Sequence, residues 1–423
     1  MLQVSYIRDN REQVLERLAV KNFKQPLLVD EIILLDDKRR QTQTSLDNIS
    51  AEANAGAKQV GELMRAGKKE EAEILKSKTG TWKEDIKTLG EQLTVVEDEL
   101  YQRLVLLPNL PHNSVPPGLT PEDNEVVLES GAKPHLPANA LPHWELAAKY
   151  NLIDFELGVK ITGAGFPVYK NKGAKLQRAL ISFFLDEAEK AGYSEVMLPL
   201  MVNEASGFGT GQLPDKEGQM YFVGNDNLYL IPTAEVPITN MYREVILKAD
   251  ELPIKNCGYT PCFRREAGSY GAHVRGLNRL HQFDKVEIVQ IVHPDESYKI
   301  HEQMCLHVQS LLEKLGLPFR VLRLCGGDMS FTAALTHDME TWSAAQQRWL
   351  EVSSVSNFET FQSNRLKLRF RNAEGKTQLA HTLNGSALAL PRIVAALLEN
   401  NQTETGIKIP DVLVPYTKFE WIN

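Results

Sequence analysis

The sequence predicts an α+β protein in which an N-terminal antiparallel α-helical coiled-coil arm precedes an antiparallel β-sheet domain flanked by helices. Three observations support this prediction: apolar residues at heptad spacing in the first quarter of the chain, a proline-rich interruption, and short strand-like runs in the remainder. At 423 residues the chain is too long for one ordinary core. We expect a helical domain over 1–105, a linker over 106–118 and a mixed domain over 119–423.

The two predicted arm helices differ in the quality of their seams. The second helix has a regular heptad seam, formed by Trp82, Ile86, Leu89, Leu93, Val96 and Leu100. The first has a weaker one, formed by Ile32, Leu35, Leu46, Ile49, Ala53, Val60 and Leu63. Gly67 marks the turn between them, and helices of about 35 residues would each be about 50 Å long. Few large apolar residues lie between Arg39 and Gly67, so the tip of the arm should be less stable than its base.

The arm leaves two interpretations open. Its lysines and arginines could meet RNA phosphates, but they are interleaved with acidic residues as on an ordinary solvated helix face. An arm that only dimerises the protein is the alternative. The net charge of −8 excludes neither, because net charge does not describe local patches.

Composition indicates a soluble globular class, with 43% hydrophobic and 24% charged residues. The sequence has no run of about 18 apolar residues, the length needed to span a bilayer. Its N-terminus lacks the pattern of a secretory signal. Cysteine is scarce, which favours reduced thiols and a cytoplasmic protein; the four are Cys257, Cys262, Cys305 and Cys325. We therefore expect a cytoplasmic protein with no membrane association.

The rest of the chain reads as linker and sheet. Four prolines between 107 and 118 prevent a helix there. Strand-like runs follow at 218–231, 256–292, 319–325, 346–356 and 366–384. No glycine-rich phosphate loop of the Walker or dinucleotide type is present in the sequence.

The stretch 262–283 has the strongest indications of a functional site. Two strand-like runs flank a glycine-containing loop, and alternation along a strand sorts their side chains. Arg264 and Glu266 are expected to share one side of the first run. On the second run one face should carry Arg279, Phe283 and Glu287, opposite Val286, Ile288 and Val292. Guanidinium groups, carboxylates and an aromatic ring on one face suit a nucleotide.

Phe263-Arg264-Arg265-Glu266 resembles motif 2 of the class II aminoacyl-tRNA synthetases, and nearly the whole chain is most similar to the seryl-tRNA synthetases within that class. The resemblance implies that ATP and Mg²⁺ convert L-serine to seryl-adenylate. The seryl group would then pass to the 3′ end of tRNA(Ser), and we expect tRNA(Sec) as well. Attack of a carboxylate on a phosphate needs positive charge and alignment, not a side-chain nucleophile.

By this resemblance the motif 2 residues bind ATP. Arg264 would contact the α-phosphate and the serine carboxylate, Glu266 the adenine amine, and Phe283 the adenine ring. Arg265 and Arg279 would complete this part of the site. Taken singly, each residue is explained equally well by a structural ion pair or a core aromatic.

A second set of ATP residues comes from two further stretches. Thr382 to Arg392 matches motif 3. Arg392 is expected at a helix N-terminus, where the helix dipole favours phosphate, and the resemblance implies that it binds the γ-phosphate of ATP. The family has its metal-binding glutamate and serine at Glu351-Val352-Ser353-Ser354, which implies that Glu351 and Ser354 bind Mg²⁺. Those two have opposite strand parity, so both can reach one ion only at a bulge or a strand end. A buried ion pair is the alternative for Glu351.

Thr233-Ala234-Glu235 matches the family's substrate-selecting Thr-x-Glu; a plain threonine N-cap is the alternative. The implied serine pocket is small and polar, which suits an ammonium and a hydroxyl. Besides Thr233, Ala234 and Glu235, the resemblance implies that four further residues line this serine pocket: Arg264, Glu287, Asn384 and Ser386.

A helix over Leu176–Ala191 leading to Pro199 resembles motif 1, which implies a homodimer. The chain departs from the family at several positions: Ala272 and His273 in the motif 2 loop, Leu335 and His337 (usually lysine and tyrosine), and Ala387 and Pro391 (usually glycine).

Two rival functions remain at this stage. An amino acid–carrier protein ligase shares the synthetase chemistry, but those relatives lack the N-terminal arm. A non-catalytic RNA-binding paralogue would have lost one of Arg264, Glu266, Glu351 or Arg392, and all four are present.

Overall fold

The computed structural model describes residues 1–215, 218–266 and 274–423. These residues divide into two compact units. One comprises Met1–Ala19 and Phe23–Pro108; the other comprises Val20–Asn22 and Asn109–Asn423. Within the described ranges, no helix has both the length and the apolar character needed to cross a membrane.

The first unit is helical, with α1 at Val4–Asp9, α2 at Arg11–Val20, α3 at Leu27–Arg65 and α4 at Lys69–Leu104. The two long helices have 39 and 36 residues, which makes each about 55 Å long. Gly67, with φ of +77°, lies in the turn between them, a conformation that glycine adopts without steric penalty. The predicted helix pair and its turn are confirmed.

The seam of α4 follows the predicted heptad. Val96 and Leu100 are buried, and the earlier seam residues are half-buried. Trp82 packs against Gly56 of α3, where an added Cβ would lie 2.3 Å from the indole ring. Gly56 was absent from the predicted seam because glycine has no side chain that marks a heptad position.

The base of the arm is more tightly packed than its tip. Asp36 is buried and accepts hydrogen bonds from Arg8 at 3.0 Å and Arg39 at 2.8 Å. Beyond Asp36 in α3 the buried residue is Gly56, and before Val96 in α4 it is Ala72. This distribution supports the expectation of a weaker tip, because little apolar surface is buried there.

The second unit is built on a large antiparallel sheet. Its strands are β1 Glu125–Ser130, β4 Ser194–Glu195, β9 Ile254–Phe263, β10 Gln282–Val292, β11 Phe319–Arg323, β12 Leu335–Ser343, β13 Arg348–Asn357 and β16 His381–Ala389. They pair in the order β1-β11-β12-β13-β16-β10-β9-β4, in which β4 is parallel to β9. The predicted strand runs did not include β12.

The second unit also contains smaller sheets. Their strands are β2 Ile153–Asp154, β3 Val168–Tyr169, β5 Met201–Asn203, β6 Phe222–Val223, β7 Leu228–Leu230, β8 Ile246–Lys248, β14 Arg369–Arg371, β15 Thr377–Leu379, β17 Ile407–Lys408 and β18 Trp421–Ile422. The helices are α5 His143–Lys149, α6 Phe155–Ile161, α7 Asn171–Lys190, α8 Glu204–Thr210, α9 Glu235–Asn240, α10 Ser297–Lys314, α11 Phe361–Leu366, α12 Leu390–Asn400 and α13 Val414–Thr417.

The large sheet has one apolar face and an opposite face, named here the polar face, which carries charged residues around Glu287 and also Val289 and Ile291 in small apolar clusters. α7, α10 and α12 cover the apolar face, where Val286, Ile288 and Val292 of β10 are fully buried in the main core. Adjacent strand residues alternate between faces. The odd-numbered residues of β10, which include Phe283 and Glu287, therefore lie on the polar face, as predicted.

The proline-rich segment is held against the second unit from Asn109 onward. The buried amide of Asn109 donates to the carbonyl oxygens of Thr332 at 2.9 Å and Phe358 at 2.8 Å. Val115 packs into a small apolar cluster with residues of the same unit. This part of the segment is therefore anchored and not a free tether.

Candidate active site

The strand-parity prediction for motif 2 is partly wrong. β9 ends at Phe263 and β10 begins at Gln282, directly opposite it. Arg264, Glu266 and Arg279 therefore lie outside the strands, where alternation no longer sorts side chains. Glu266 has φ of +48°, in the left-handed region, which turns the chain away from the sheet direction.

The structure nevertheless brings the predicted nucleotide-binding residues together. The Arg264 guanidinium lies 5.3 Å from the centroid of the Phe283 ring, and its Nε donates to the carbonyl of Pro232 at 3.3 Å. Glu266 accepts a short hydrogen bond from Nε of Arg279. The Arg265 side chain is exposed, whereas its backbone N–H donates to the carbonyl oxygen of Gln219 at 2.8 Å. This end of the polar face thus offers an aromatic ring and several guanidinium groups.

A buried charge cluster forms the other end. The Glu287 carboxylate is fully buried and accepts hydrogen bonds from Thr233 Oγ1 at 3.1 Å and Asn384 Nδ2 at 3.2 Å. Nζ of Lys285 lies 2.5 Å from the same carboxylate. Ser386 stands opposite Glu287 in the sheet register. We name Thr233, Glu235, Lys285, Glu287 and Asn384 the buried cluster.

Lys285 was not among the predicted site residues. It donates to Thr233 Oγ1 at 3.0 Å as well as to Glu287, and it is 6% exposed. The sequence contained the information needed to place Lys285, because residues 283, 285 and 287 alternate onto the same face of one strand. A lysine on a strand is usually solvated, so burial could not be inferred without knowing the depth of the polar face.

Glu235 shows how strongly this cluster affects ionisation. Burial, followed by the nearby Glu287 carboxylate, raises the pKa of Glu235 to about 7 from its ordinary 4.5. Gln362 donates to it at 2.6 Å and in turn accepts from Thr382 at 2.7 Å. Ala234 is fully buried at the start of α9. Thr233 Oγ1 also accepts from the Glu235 N–H at 3.3 Å, but the N-cap residue of α9 is Ala234, without a side-chain cap, so the alternative of a threonine N-cap is wrong.

The bulge that Glu351 and Ser354 require is present. The register between β12 and β13 shifts between Met339 and Glu340: Met339 pairs with Ser353, whereas Glu340 pairs with Glu351. Val352 is the extra residue, and its side chain is buried in the core. The bulge therefore returns Glu351 and Ser354 to one face of the sheet.

Two further acids on β12 lie beside this pair. Asp338 faces Ser354 across the strands and Glu340 faces Glu351. Burial, followed by the charge of Glu351, holds the pKa of Asp338 well above its ordinary value. One Asp338 oxygen, Oδ1, is buried without a hydrogen-bond partner among the described residues. Neither acid was predicted, because β12 itself was not.

Arg392 connects the acids to motif 2. Its Nη1 donates to the Glu351 carbonyl at 2.7 Å and lies 3.5 Å from the carboxylate, while its Nε donates to the Asn278 carbonyl at 3.1 Å. It lies in the first turn of α12, after Pro391, as predicted.

A buried network that the sequence did not reveal supports Asn278. The Asn278 amide donates to Gln346 Oε1 at 2.9 Å, and Gln346 donates to Glu399 at 3.0 Å. His143 is fully buried, lies 2.7 Å from Glu399 through Nδ1, and accepts from the Leu277 N–H at 2.8 Å through Nε2. The return from the motif 2 loop is thus fixed to α12.

The departures from the family fall in different places. The methyl group of Ala387 is buried in the main core, on the helix side of the sheet, so it does not narrow the polar face. Leu335 and His337 are in β12. Ala272 and His273 lie outside the described residues.

The arrangement can bind two ligands side by side. The buried cluster offers carboxylates and hydrogen-bond donors to a small polar molecule, and Arg264 lies beside it. The half-exposed end offers Arg279 and Arg392 to phosphate groups. The oxygens of Asp338, Glu351 and Ser354 are the ligand type that Mg²⁺ prefers, and the unpartnered Asp338 oxygen fits a cation at that place.

Comparisons with known proteins agree along the chain. The family described as the tRNA synthetase class II core domain (G, H, P, S and T) matches residues 221–401, and the seryl-tRNA synthetase N-terminal domain matches residues 1–111. The serine–tRNA ligase of Salinibacter ruber is 52% identical, with 100% of this chain and 99% of the relative covered. That of Geobacter sulfurreducens is 44% identical over 98% of each chain.

Solved structures show the same similarity. Seryl-tRNA synthetase from Pyrococcus horikoshii, complexed with ATP, has a TM-score of 0.94 and 33% identity over 100% of this chain and 99% of its own. The cytoplasmic serine–tRNA ligase from Naegleria fowleri, in complex with AMP, has a TM-score of 0.89 and 25% identity over 100% and 99%. By full-length sequence identity and by fold, the chain belongs to the seryl-tRNA synthetase family.

Proposed function

We propose that this chain is the serine–tRNA ligase of its cell, using ATP to form seryl-adenylate and transferring the seryl group to tRNA(Ser). The buried cluster beside Arg264 is the observation that carries the proposal. Its polar side chains already have partners: Glu287 pairs with Lys285, Thr233 and Asn384 at 2.5–3.2 Å, and Glu235 accepts from Gln362 at 2.6 Å. A substrate must therefore replace those hydrogen bonds, and a molecule without a hydroxyl would leave buried partners unpaired.

The first step needs orientation and charge. We assign the serine ammonium to Glu235 and Thr233, its hydroxyl to Glu287 and its carboxylate to Arg264. The carboxylate oxygen attacks the α-phosphorus as the bond to pyrophosphate breaks. Arg264 spreads the negative charge that develops there, while Glu266 and Phe283 hold the adenine.

The phosphate end requires an exchange of partners. Arg279 is paired with Glu266, and Arg392 with Glu351. We propose that the β- and γ-phosphates take over Arg392, and that Glu266 turns from Arg279 to the adenine amine. Arg265, Val352 and Ser353 complete the ATP-binding set, and Asn384 and Ser386 complete the serine-binding set.

Mg²⁺ belongs to the proposal as a companion of ATP. Glu351 and Ser354 would hold it, and the free Asp338 oxygen is a third candidate ligand. When bound, the ion supplies positive charge that neutralises the phosphates.

The arm is the proposed tRNA-binding element, with residues 1–105 as the tRNA-binding domain, 106–118 as the connection and 119–423 as the catalytic domain. tRNA(Sec) would be charged by the same route if it shares the features that the arm recognises. Deleting residues 29–100 should spare adenylate formation, measured by pyrophosphate exchange, and abolish charging of tRNA. Normal charging by the deletion variant would refute the role of the arm.

We also propose a cytoplasmic homodimer. The motif 1 region supports this, because α7 leads into β4 and then to Met197, which is 95% exposed. A large apolar side chain in that position suits a contact with a second copy. Sedimentation analysis should give twice the mass of 47.6 kDa, and Met197→Asp should shift the protein towards monomer.

The deciding experiment is charging of bulk tRNA with labelled serine, ATP and Mg²⁺. Acid-stable label on tRNA with serine, and not with threonine, is the expected result. No label on tRNA with a folded protein would favour the carrier ligase or the inactive paralogue. Neither rival is favoured by the structure, since the arm and the four diagnostic residues are all present.

A further inference from the structure

A second group of chemically active side chains lies on the opposite side of the sheet from the polar face. His301 and Cys305 are four residues apart on α10, so they project from the same side of that helix. His337 belongs to β12, next to Asp338 but on the other face of the strand. These three residues make no contribution to the proposed ATP and serine sites.

The three side chains converge. One ligand atom of each (a ring nitrogen of His301 and His337, and Sγ of Cys305) lies within 4.8 Å of the other two. Nδ1 of His337 is 3.3 Å from Nε2 of His301. Two nitrogen ligands of a tetrahedral metal, with bonds of about 2.0–2.1 Å, are separated by about 3.3–3.4 Å. The separation of these two nitrogens therefore matches that of two ligands on one tetrahedral metal.

The surroundings suit a metal that prefers nitrogen and sulfur. His301 is 1% exposed and Cys305 is 7% exposed, whereas His337 is only partly buried and gives an approach from solvent. A neutral imidazole and a thiolate are the ligands that Zn²⁺ favours over Mg²⁺ or Ca²⁺. The site is thus distinct in chemistry from the oxygen-rich Mg²⁺ position on the polar face.

We propose that His301, Cys305 and His337 form a three-ligand Zn²⁺ site, with the fourth position open to water. On binding, the S–H bond of Cys305 breaks as the Zn–S bond forms, and the proton passes to solvent. The ion would tie α10 to β12, the strand that carries Asp338 and Glu340, and so would stabilise the sheet beneath the phosphate end.

Cobalt substitution tests the proposal directly, because tetrahedral Co²⁺ with a thiolate ligand absorbs in the near ultraviolet and the visible. The full-length chain, treated with a chelator and kept reduced, is titrated with Co²⁺. We expect one Co²⁺ per chain with a thiolate-to-cobalt band, loss of colour on adding Zn²⁺, and a higher Tm with Zn²⁺ than with the metal-free protein.

Variants locate the site. Cys305→Ser and His337→Tyr should each abolish the band and weaken Co²⁺ binding by about 100-fold, the upper end of the loss caused by removing only an outer-shell partner of a ligand. His337 is only partly buried, so that variant stays informative even if Cys305→Ser unfolds. Cys257→Ser is the matched control, because Cys257 is also buried but lies outside the group, and it should keep the band.

Three results would overturn the inference: no band in the unmodified protein, a band that survives in both His337→Tyr and Cys305→Ser, or a band lost in Cys257→Ser alone. In any of these cases the 3.3 Å contact is a hydrogen bond between neutral imidazoles. The readout is spectroscopic, so it is independent of the proposed charging of tRNA.

Discussion

The two ends of the polar face differ in how far their charged side chains are buried and how closely they are paired. In the buried cluster, Lys285 and Glu287 are 7% and 0% exposed at the side chain and are locked to each other. At the phosphate end, Arg392 and Glu351 are 30% and 49% exposed, and their charged atoms are 3.5 Å apart. A low dielectric makes each buried partner indispensable, whereas solvent screens the open pair.

This difference in burial suggests that the buried cluster selects the amino acid, whereas the exposed end binds and releases the phosphates. Where charges are buried and fully paired, only a ligand that reproduces the pattern enters without a large penalty. Where they are half-exposed and loosely paired, they can be reassigned to a polyphosphate and released again. Variants at the two ends should therefore differ in kind, with stability affected at one end and substrate handling at the other.

The largest expected effect is at Glu287. Glu287→Ala leaves the buried Lys285 ammonium without its carboxylate and should lower the free energy of unfolding by about 3–5 kcal/mol. Urea denaturation measures it. The matched control is Glu244→Ala, whose partner Lys367 lies at 3.4 Å with both side chains 66% exposed; its change should stay below about 1 kcal/mol. Equal losses in the two variants would remove the contrast between buried and open charges.

Arg264 comes next, with an effect on rate instead of stability. Arg264→Ala should reduce adenylate formation by about 10²–10³-fold or more, since it removes charge from the reacting phosphate. The protein should stay folded, because the contacts of this side chain with the described residues are weak: a hydrogen bond to the Pro232 carbonyl at 3.3 Å and stacking on Phe283 at 5.3 Å. Pyrophosphate exchange and Tm are the two measurements, with the exposed Arg371→Ala as control. A large fall in Tm would show a structural role.

The pH dependence of serine binding is a smaller effect. Because the pKa of Glu235 is raised to about 7, the carboxylate that should meet the serine ammonium is lost below neutral pH. The KM for serine should rise by up to about tenfold per pH unit below 7, with the KM for ATP much less affected. In the free protein the raised pKa stabilises the fold most below pH 4.5, and that contribution is lost as pH rises to about 7.

Glu235→Gln checks both consequences. The amide cannot titrate, so the pH dependence of the KM for serine between about 6 and 8 should flatten while the KM itself rises. A wild-type profile without any change across this range would mean that the ammonium meets another group.

The smallest effect on stability is expected at Glu266. Glu266→Gln weakens its pair with Arg279, whose side chain is 41% exposed, so the free energy of unfolding should change by less than about 1 kcal/mol. The KM for ATP should nevertheless rise, because a charged acceptor for the adenine amine is replaced by a weaker neutral one. A loss of stability as large as that of Glu287→Ala would contradict this prediction, because it would mean that the Glu266–Arg279 pair behaves like a buried ion pair.

How much the sequence predicted depends on the distance over which each signal acts. The arm was predictable because a heptad is a local pattern, and the fit between Gly56 and Trp82 merely refines it. Phe283 and Glu287 were predictable from alternation within one strand. The bulge at Val352 could be required from the parities of Glu351 and Ser354, although its position needs the partner strand β12.

Residues whose roles depend on distant contacts could not be found in this way. β12 has no strict alternation of polar and apolar residues, and Asp338 and Glu340 lower its apparent strand propensity. His143 and Glu399 are 256 positions apart, and no local pattern links a histidine and a glutamate over that distance. Strand alternation could not place Arg264 and Glu266, because β9 ends before them; the position of Arg264 beside the Phe283 ring depends on the turn that follows the strand.

The packing of Trp82 on Gly56 gives the arm a built-in optical probe. Of the five tryptophans in the chain, Trp82 is the one within the two long helices. Its indole lies where the helices approach each other, between the well-packed base and the sparsely packed tip. The fluorescence of a variant retaining Trp82 alone would therefore report separation of the helices, or an RNA lying across them, without any added dye.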